Sequence, residues 1–224
     1  VEPMSGADGV NLQRPTSRPE AEFIDGGSIG EAISETAMSE KVSSIIMAAH
    51  GKGLVEGLFL GSVSTEVLSR GETDLLIFRR QALEKAESEM LEKFCQNIFK
   101  RVLIATDFSK AAGDAASTVK ALHGIQEISL LHVIPKGEDV DKPAKKLNEL
   151  REDLEFPGRK VTVHVLEGRA DKQILNLAKK QDSSLIIISS QGKGWLKQLR
   201  VGSTAIGVAR NADRPMLVIR PRKQ

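Results

Sequence analysis

The sequence predicts an α/β protein: a doubly wound, parallel, five-stranded sheet of order 3-2-1-4-5, present in two tandem copies. Three observations lead there. Residues 22–79 lie over residues 163–220 with a constant offset of 141 and no gap, which pairs Gly51 with Gly192, Lys52 with Lys193, Gly61 with Gly202, Ser62 with Ser203 and Arg79 with Arg220. A period this long marks a duplicated domain, because solenoid units run to about 20–50 residues. From Lys100 onward, short apolar runs alternate with segments of helical period, the pattern of a parallel sheet covered on both faces. In each copy a glycine-containing loop stands between an apolar run and a helical one, where main-chain amides form an anion cradle.

The elements of the second copy follow in order. Lys100 to Asp107 (KRVLIATD) has an apolar centre between charged ends, a strand buried on both faces that Asp107 closes. Ser109 to Leu122 carries Ala112, Ala116, Val119 and Leu122 at helical spacing, and Gly124 ends it. Ile128 to Ile134 is a second strand, stopped by Pro135 and Gly137. Asp141 to Leu154 is a charged surface helix with Leu147, Leu150 and Leu154 inward, and Lys160 to Leu166 alternates as a third strand. Asp171 to Lys180 is a short amphipathic helix with Asp171 as its cap. Leu185 to Ile188 is a central strand, Ser203 to Arg210 a helix, and Met216 to Ile219 the last strand. Ligands in such sheets bind beyond the carboxyl ends of the strands where the order reverses, here between the first strand and the fourth. Asp107 and the loop from Ser189 to Gly194 therefore share one crevice.

The first copy is shorter. Nothing upstream matches Lys100 to Thr162, so residues 1–79 read as an incomplete domain lacking its first two strands, residues 80–99 as a linker and residues 100–224 as the complete domain. The linker places Leu83, Ala86, Met90, Phe94 and Ile98 on one helical face over Gln81 to Phe99. Without its first two strands the early copy would leave its third strand apart from the fourth and fifth and could not fold alone. The expectation is that a stretch ahead of Val1 completes it, with Val1-Glu2-Pro3 as the tail of a second strand; a degraded domain completed by another chain is the alternative.

Composition narrows the function. With 32 basic and 30 acidic residues the net charge is +2, too balanced to argue for a nucleic-acid partner. No apolar run approaches the ~20 residues of a membrane span, and the single cysteine, Cys95, suits a reducing, cytoplasmic setting. No two histidines have metal-ligand spacing. In the loop, Gly192 and Gly194 allow positive φ and close approach of a ligand to the amides, and Gly202-Ser203 stand at a helix start that favours an anion.

Gly192, nine residues, then Gly202-Ser203, together with Ala105-Thr106-Asp107-Phe108-Ser109 at the end of the first strand, resemble the universal stress proteins, in particular the tandem two-domain kind. The resemblance implies the fold of the adenine nucleotide alpha hydrolases and an adenine nucleotide, AMP or ATP, with Mg accompanying ATP. It implies that Asp107, with Ala105, Thr106 and Val133, holds the adenosine portion, and that Gly192, Gly202, Ser203 and Thr204 hold phosphates. Ile188, Ser189 and Ala205 complete the set, and Met47, Ala48, Gly51, Gly61, Ser62, Val63 and Ser64 occupy the first copy's matching positions. The motif's first glycine is Ser189 in one copy and Ala48 in the other, which implies weaker binding or a shorter phosphate chain. The resemblance further suggests pairing along the fifth strands, Leu75 to Phe78 with Met216 to Ile219, within one chain or between copies.

Catalytic groups are scarce: there is no G-x4-G-K-[ST] loop, no serine-histidine-acid order and no second carboxylate beside Asp107. The expectation is a regulatory nucleotide-binding module, not an enzyme. A slow ATP hydrolase or nucleotidyl-transferring enzyme on the same crevice, and a scaffold without ligand, are the alternatives.

Overall fold

The computed structural model describes residues 27–49, 60–78, 97–193 and 201–222. Two helices and two strands come first: α1 (Ile29–Ser39), β1 (Ser44–Ala48), α2 (Ser62–Arg70) and β2 (Asp74–Phe78). The rest follows as β3 (Arg101–Ala105), α3 (Lys110–Ala121), β4 (Glu127–Ile134), α4 (Asp141–Leu154), β5 (Lys160–Glu167), α5 (Ala170–Lys180), β6 (Leu185–Ser189), α6 (Ser203–Asn211) and β7 (Met216–Ile219).

All seven strands form one sheet in the order β1-β2-β7-β6-β3-β4-β5. Read from β5 to β7, the later strands reproduce the predicted order 3-2-1-4-5, all parallel. The sheet is doubly wound. One face carries α1, α2, α5 and α6 over a core containing Leu68, Leu75, Leu103, Leu131, Ile186 and Val208. The other carries α3 and α4 over Ile104, Leu130, Leu147, Leu154 and Ile187. Strand β6 lies between the two layers with every residue buried, which explains its unbroken apolar run where a half-exposed strand would alternate.

The predicted meeting of the fifth strands occurs within the chain. β2 and β7 pair antiparallel, with Leu75 opposite Val218, Leu76 opposite Leu217 and Ile77 opposite Met216. This seam explains how an incomplete copy folds: β2, which would otherwise be an apolar edge, is covered by β7 on one side and β1 on the other. A buried polar clamp reinforces it. The Arg220 amide donates to Asp74 Oδ1 at 2.8 Å, and the Arg220 guanidinium donates to the carbonyls of Val67 and Leu68 at the end of α2. Arg222 reaches the second Asp74 oxygen at 2.8 Å. Strand β1 is less covered. Its Ile46 is 64% exposed, whereas the equivalent Ile187 is fully buried, because no described strand borders the outer edge of β1 and no described helix lies over that face. The predicted third strand of the first copy, and all but the last three residues of the predicted linker helix, lie outside the described residues, as does Cys95.

The duplication extends to individual hydrogen bonds. Ala49 donates to Phe78 O and Ser190 to Ile219 O, each at 2.8 Å; Gly61 donates to Ala49 O at 2.8 Å and Gly202 to Ser190 O at 2.7 Å. Each glycine loop is thereby closed at its neck by the same two bonds. One pair of equivalent positions is inverted. Where α1 meets α2, Gly30 faces Glu66; where α5 meets α6, Asp171 faces Gly207. Each helix pair thus approaches through one glycine and one acid, on opposite helices in the two copies. The Asp171 carboxylate does not cap α5 as the sequence suggested: the cap position is Arg169, whose guanidinium takes the carboxylate in an ion pair at 2.9 Å.

A Cβ added at Gly30 would lie 2.8 Å from Glu66 Cβ, too close to be relieved by a side-chain rotation. Gly30→Ala should destabilise the fold by about 1–3 kcal/mol. In urea denaturation the Gly30→Ala/Glu66→Gly double variant should lose less than the sum of its singles, and strict additivity would show that the helices shift apart without strain.

Candidate functional site

The strand-order reversal between β3 and β6 opens a cavity of about 360 Å³ at the carboxyl ends of these strands. Its formation follows from topology: α3 leaves β3 toward one face while α6 leaves β6 toward the other, so neither helix fills the space between. The volume is that of a small-molecule site.

The turn after β3 aims Asp107 across this gap. Phe108 has φ +58°, an unfavourable backbone region for a bulky residue, and its amide is held by Thr106 Oγ1 at 3.1 Å. The Asp107 Oδ1 oxygen accepts from the Ser109 amide at 3.0 Å, and Ser109 Oγ in turn caps α3 by accepting from Ala112 N at 3.2 Å. The other oxygen, Oδ2, crosses to the glycine loop and accepts from the Lys193 amide at 2.6 Å. The loop is therefore tied to β3 by a carboxylate. Burial alone would raise the Asp107 pKa, but hydrogen bonds from the Ser109 side chain and from the amides of Lys193 and Ser109 outweigh it and hold the group below its ordinary 3.8.

This contact changes the role of Gly192. The sequence suggested a positive φ there, yet Gly192 is not among the glycines with positive φ; the requirement is steric, since a Cβ would fall 2.5 Å from Asp107 Oδ2. Gly194, Trp195 and the rest of the loop to Arg200 lie outside the described residues. The loop returns at Val201, and Gly202 stands at the N-cap of α6 with φ −79° and without a side-chain capping bond, so the first amides of α6 keep no internal partner.

All eleven positions singled out in the second copy line the cavity. Ala105, Thr106, Asp107 and Val133 bound it on the β3–β4 side, Ile188, Ser189 and Gly192 at β6 and its loop, and Gly202, Ser203, Thr204 and Ala205 at α6. Ser190, Gln191 and Lys193 join them from the loop already placed at the crevice, and sequence reasoning missed Leu131, Ala170, Ile174 and Val201. Leu131 was within reach, because it sits two residues before Val133 and shares its face of β4. Ala170 and Ile174, one turn apart on α5, carried no signal, since only the packed fold brings that helix to the opening. Ser189 does not present a free hydroxyl: its Oγ donates to Gln191 O at 2.7 Å inside the loop. Ser190 Oγ is buried without a hydrogen-bond partner, and the equivalent position in the first copy is Ala49.

The first copy's positions gather differently. Met47 and Ala48 end β1, Gly61 is the N-cap of α2, and Ser62, Val63 and Ser64 form its first turn. Ser64 Oγ donates to Ala48 O at 2.9 Å, and no described strand beyond β1 supplies a carboxylate equivalent to Asp107. His50 and Gly51 lie outside the described residues. Among the described residues there is no group of side chains suited to a metal ion, and no helix is long and apolar enough to cross a membrane.

The reversal point of a doubly wound sheet, here with an uncapped helix start and a carboxylate, is the place where α/β proteins of this architecture hold small-molecule ligands. The universal stress protein family model matches residues 7–79 and 98–220, and the chain belongs to that family. It is 26% identical to a universal stress protein of Methanocaldococcus jannaschii over 55% of this chain and 96% of that protein. A Mycolicibacterium smegmatis universal stress protein is 24% identical over 86% of this chain and 67% of its own length. Among solved structures, a universal stress protein from Archaeoglobus fulgidus superposes with a TM-score of 0.63 at 27% identity, covering 86% of this chain and 65% of that one.

Gly192→Ala should push the Asp107 carboxylate off the loop, costing about 1–3 kcal/mol in urea denaturation and accelerating hydrogen exchange of the Lys193 amide; unchanged exchange would show that the tie is dispensable. A depressed carboxylate pKa contributes stability that is complete above the unfolded value and lost as pH falls through the folded one. The Tm of the native chain should therefore fall more steeply below 3.8 than that of Asp107→Asn, and parallel curves would contradict the assignment.

Proposed function

We propose that this chain is a regulatory module that binds an adenine nucleotide, AMP or ATP, in the cavity between β3 and β6. The observation that carries the reading is the convergence on that cavity of an apolar wall, a main-chain edge, a carboxylate and an uncapped helix start. Val133 and Ala170, backed by the buried Leu131 and Ile174, offer the apolar surface on which a purine lies. The last bond between β3 and β4 runs from Thr106 N to Leu131 O at 2.9 Å, and β3 then turns away. Two residues on, the main-chain N–H and C=O of Val133 point the same way and meet the cavity. An N–H beside a C=O complements adenine, which accepts at N1 and donates from its 6-amino group; guanine presents the reverse pair. Asp107 accepts from sugar hydroxyls, and the amides of Ser203 and Thr204 receive phosphate, with Mg accompanying ATP.

Binding without turnover fits the same geometry. Asp107 is the one carboxylate lining the cavity among the described residues, and a group held ionised below its ordinary pKa by several donors is a weak base for activating water. In this reading residues 100–224 form the complete binding unit, residues 1–79 an incomplete one and residues 80–99 a connector. The β2–β7 seam makes them a pseudo-symmetric pair within one chain, and the single cysteine fits a cytoplasmic setting.

Isothermal titration with AMP, ADP, ATP and GTP, with and without Mg, tests the proposal. Adenine nucleotides should bind at least about tenfold more tightly than GTP. Absence of heat with every adenine nucleotide would overturn it.

A further inference from the structure

The Lys193 amide is one of the donors that an anion entering the cavity would meet, and it is already occupied. Asp107 Oδ2 accepts from it at 2.6 Å, against a glycine whose missing Cβ would stand 2.5 Å from that oxygen. An internal carboxylate thus sits where a phosphate oxygen would seek the loop. The Lys193 ammonium makes no ion pair with it and lies over the Phe108 ring, 5.6 Å from its centroid, where Lys146 also lies at 5.4 Å. No other charged side chain lines the cavity among the described residues.

From this arrangement we infer that Asp107 is a specificity-determining residue that acts as a built-in competitor for the phosphate loop, so that the site refuses free phosphate and pyrophosphate and takes a phosphate only when it is joined to a sugar that donates to the carboxylate. The inference rests on the adenine-nucleotide reading above and adds the class of ligand that the site rejects. A phosphate brought alone to the loop or to the start of α6 faces an ionised carboxylate across a small, half-enclosed space, with no gain to offset the repulsion. A nucleoside changes the balance. A carboxylate has about four acceptor positions, and the Ser109 hydroxyl with the amides of Ser109 and Lys193 uses three of them, leaving room for one ribose hydroxyl. With that hydroxyl donating, the negative charge is screened by a fixed dipole, and phosphate on the same ligand reaches the amides of Ser203 and Thr204 without competing for Lys193. Asp107, held below its ordinary 3.8 by these hydrogen bonds, carries its charge at neutral pH.

The test is titration of the native chain and of Asp107→Asn with ATP, adenosine and sodium pyrophosphate, all without added metal. The native chain should bind ATP and show no pyrophosphate binding at millimolar concentration; Asp107→Asn should bind pyrophosphate at least about tenfold more tightly while losing affinity for ATP. Because the variant could lose its loop geometry, a second measurement uses the native chain alone: saturating adenosine should raise its pyrophosphate affinity by about tenfold or more. Equal pyrophosphate binding with and without adenosine in a native chain that binds ATP would overturn the competitor role and leave the nucleotide site standing. A native chain that binds neither ATP nor adenosine would remove both.

Discussion

The structure depends on the parallel pairing of β3 with β6. These strands are distant in sequence, and four hydrogen-bonded positions, from Val102 opposite Leu185 to Ala105 opposite Ile188, bring them together. Their pairing fixes the point where helices diverge to opposite faces, which opens the cavity. It also sets the ends of β3 and β6 side by side, so a single carboxylate on one can hold the main chain of the other. The Asp107 contact to Lys193 is thus a consequence of the sheet, and the position of the loop is a consequence of Asp107. Because β6 is buried throughout, with no polar residue before Ser189, it presents apolar side chains to both faces of the sheet at this pairing.

A second constraint joins the two copies. Antiparallel pairing of β2 with β7 makes one continuous sheet from strands that would otherwise be two apolar edges. The polar clamp around Asp74 sits at the end of this seam. Arg220 follows β7 directly, and its guanidinium completes the carbonyls at the end of α2, so the last strand of one copy terminates a helix of the other. Ser190, at the neck of the glycine loop, bonds to Ile219, the residue before Arg220. The glycine loop and the seam therefore meet at adjacent residues of β7, Ile219 and Val218.

The repeat was legible because it preserved spacing, and the structure shows what the spacing protects. The two neck bonds recur at equivalent residues with nearly the same lengths. Side chains were free to diverge wherever the pair of contacts, rather than either residue, is constrained. Gly30 with Glu66 and Asp171 with Gly207 satisfy one packing requirement in two ways, and no inspection of single positions would disclose it. The site divided similarly. Residues at strand ends and at the helix start, such as Asp107, Gly202 and Ser203, could be placed from motif and topology. Ile174 and Ala170 could not, because their approach depends on how α5 packs over β4. Gly192 does not adopt the positive φ that the sequence suggested; its missing Cβ accommodates a carboxylate 85 positions earlier in the chain.

The sequence by itself determined the fold class, the strand order, the duplicated halves and the strand-end and helix-start residues that line the cavity. The elements and the duplication reside in periodicity and spacing, which follow from the pitch of a helix and the alternation of a strand, and the site residues came from the resemblance to a family; neither needs knowledge of distant contacts. Only the tertiary structure decided that Asp107 holds the loop amide, that the incomplete copy is supported through β2 against β7, and that α5 forms part of the cavity wall. Each of these depends on distances of a few ångströms between segments far apart in the chain, and close packing, not local pattern, sets such distances.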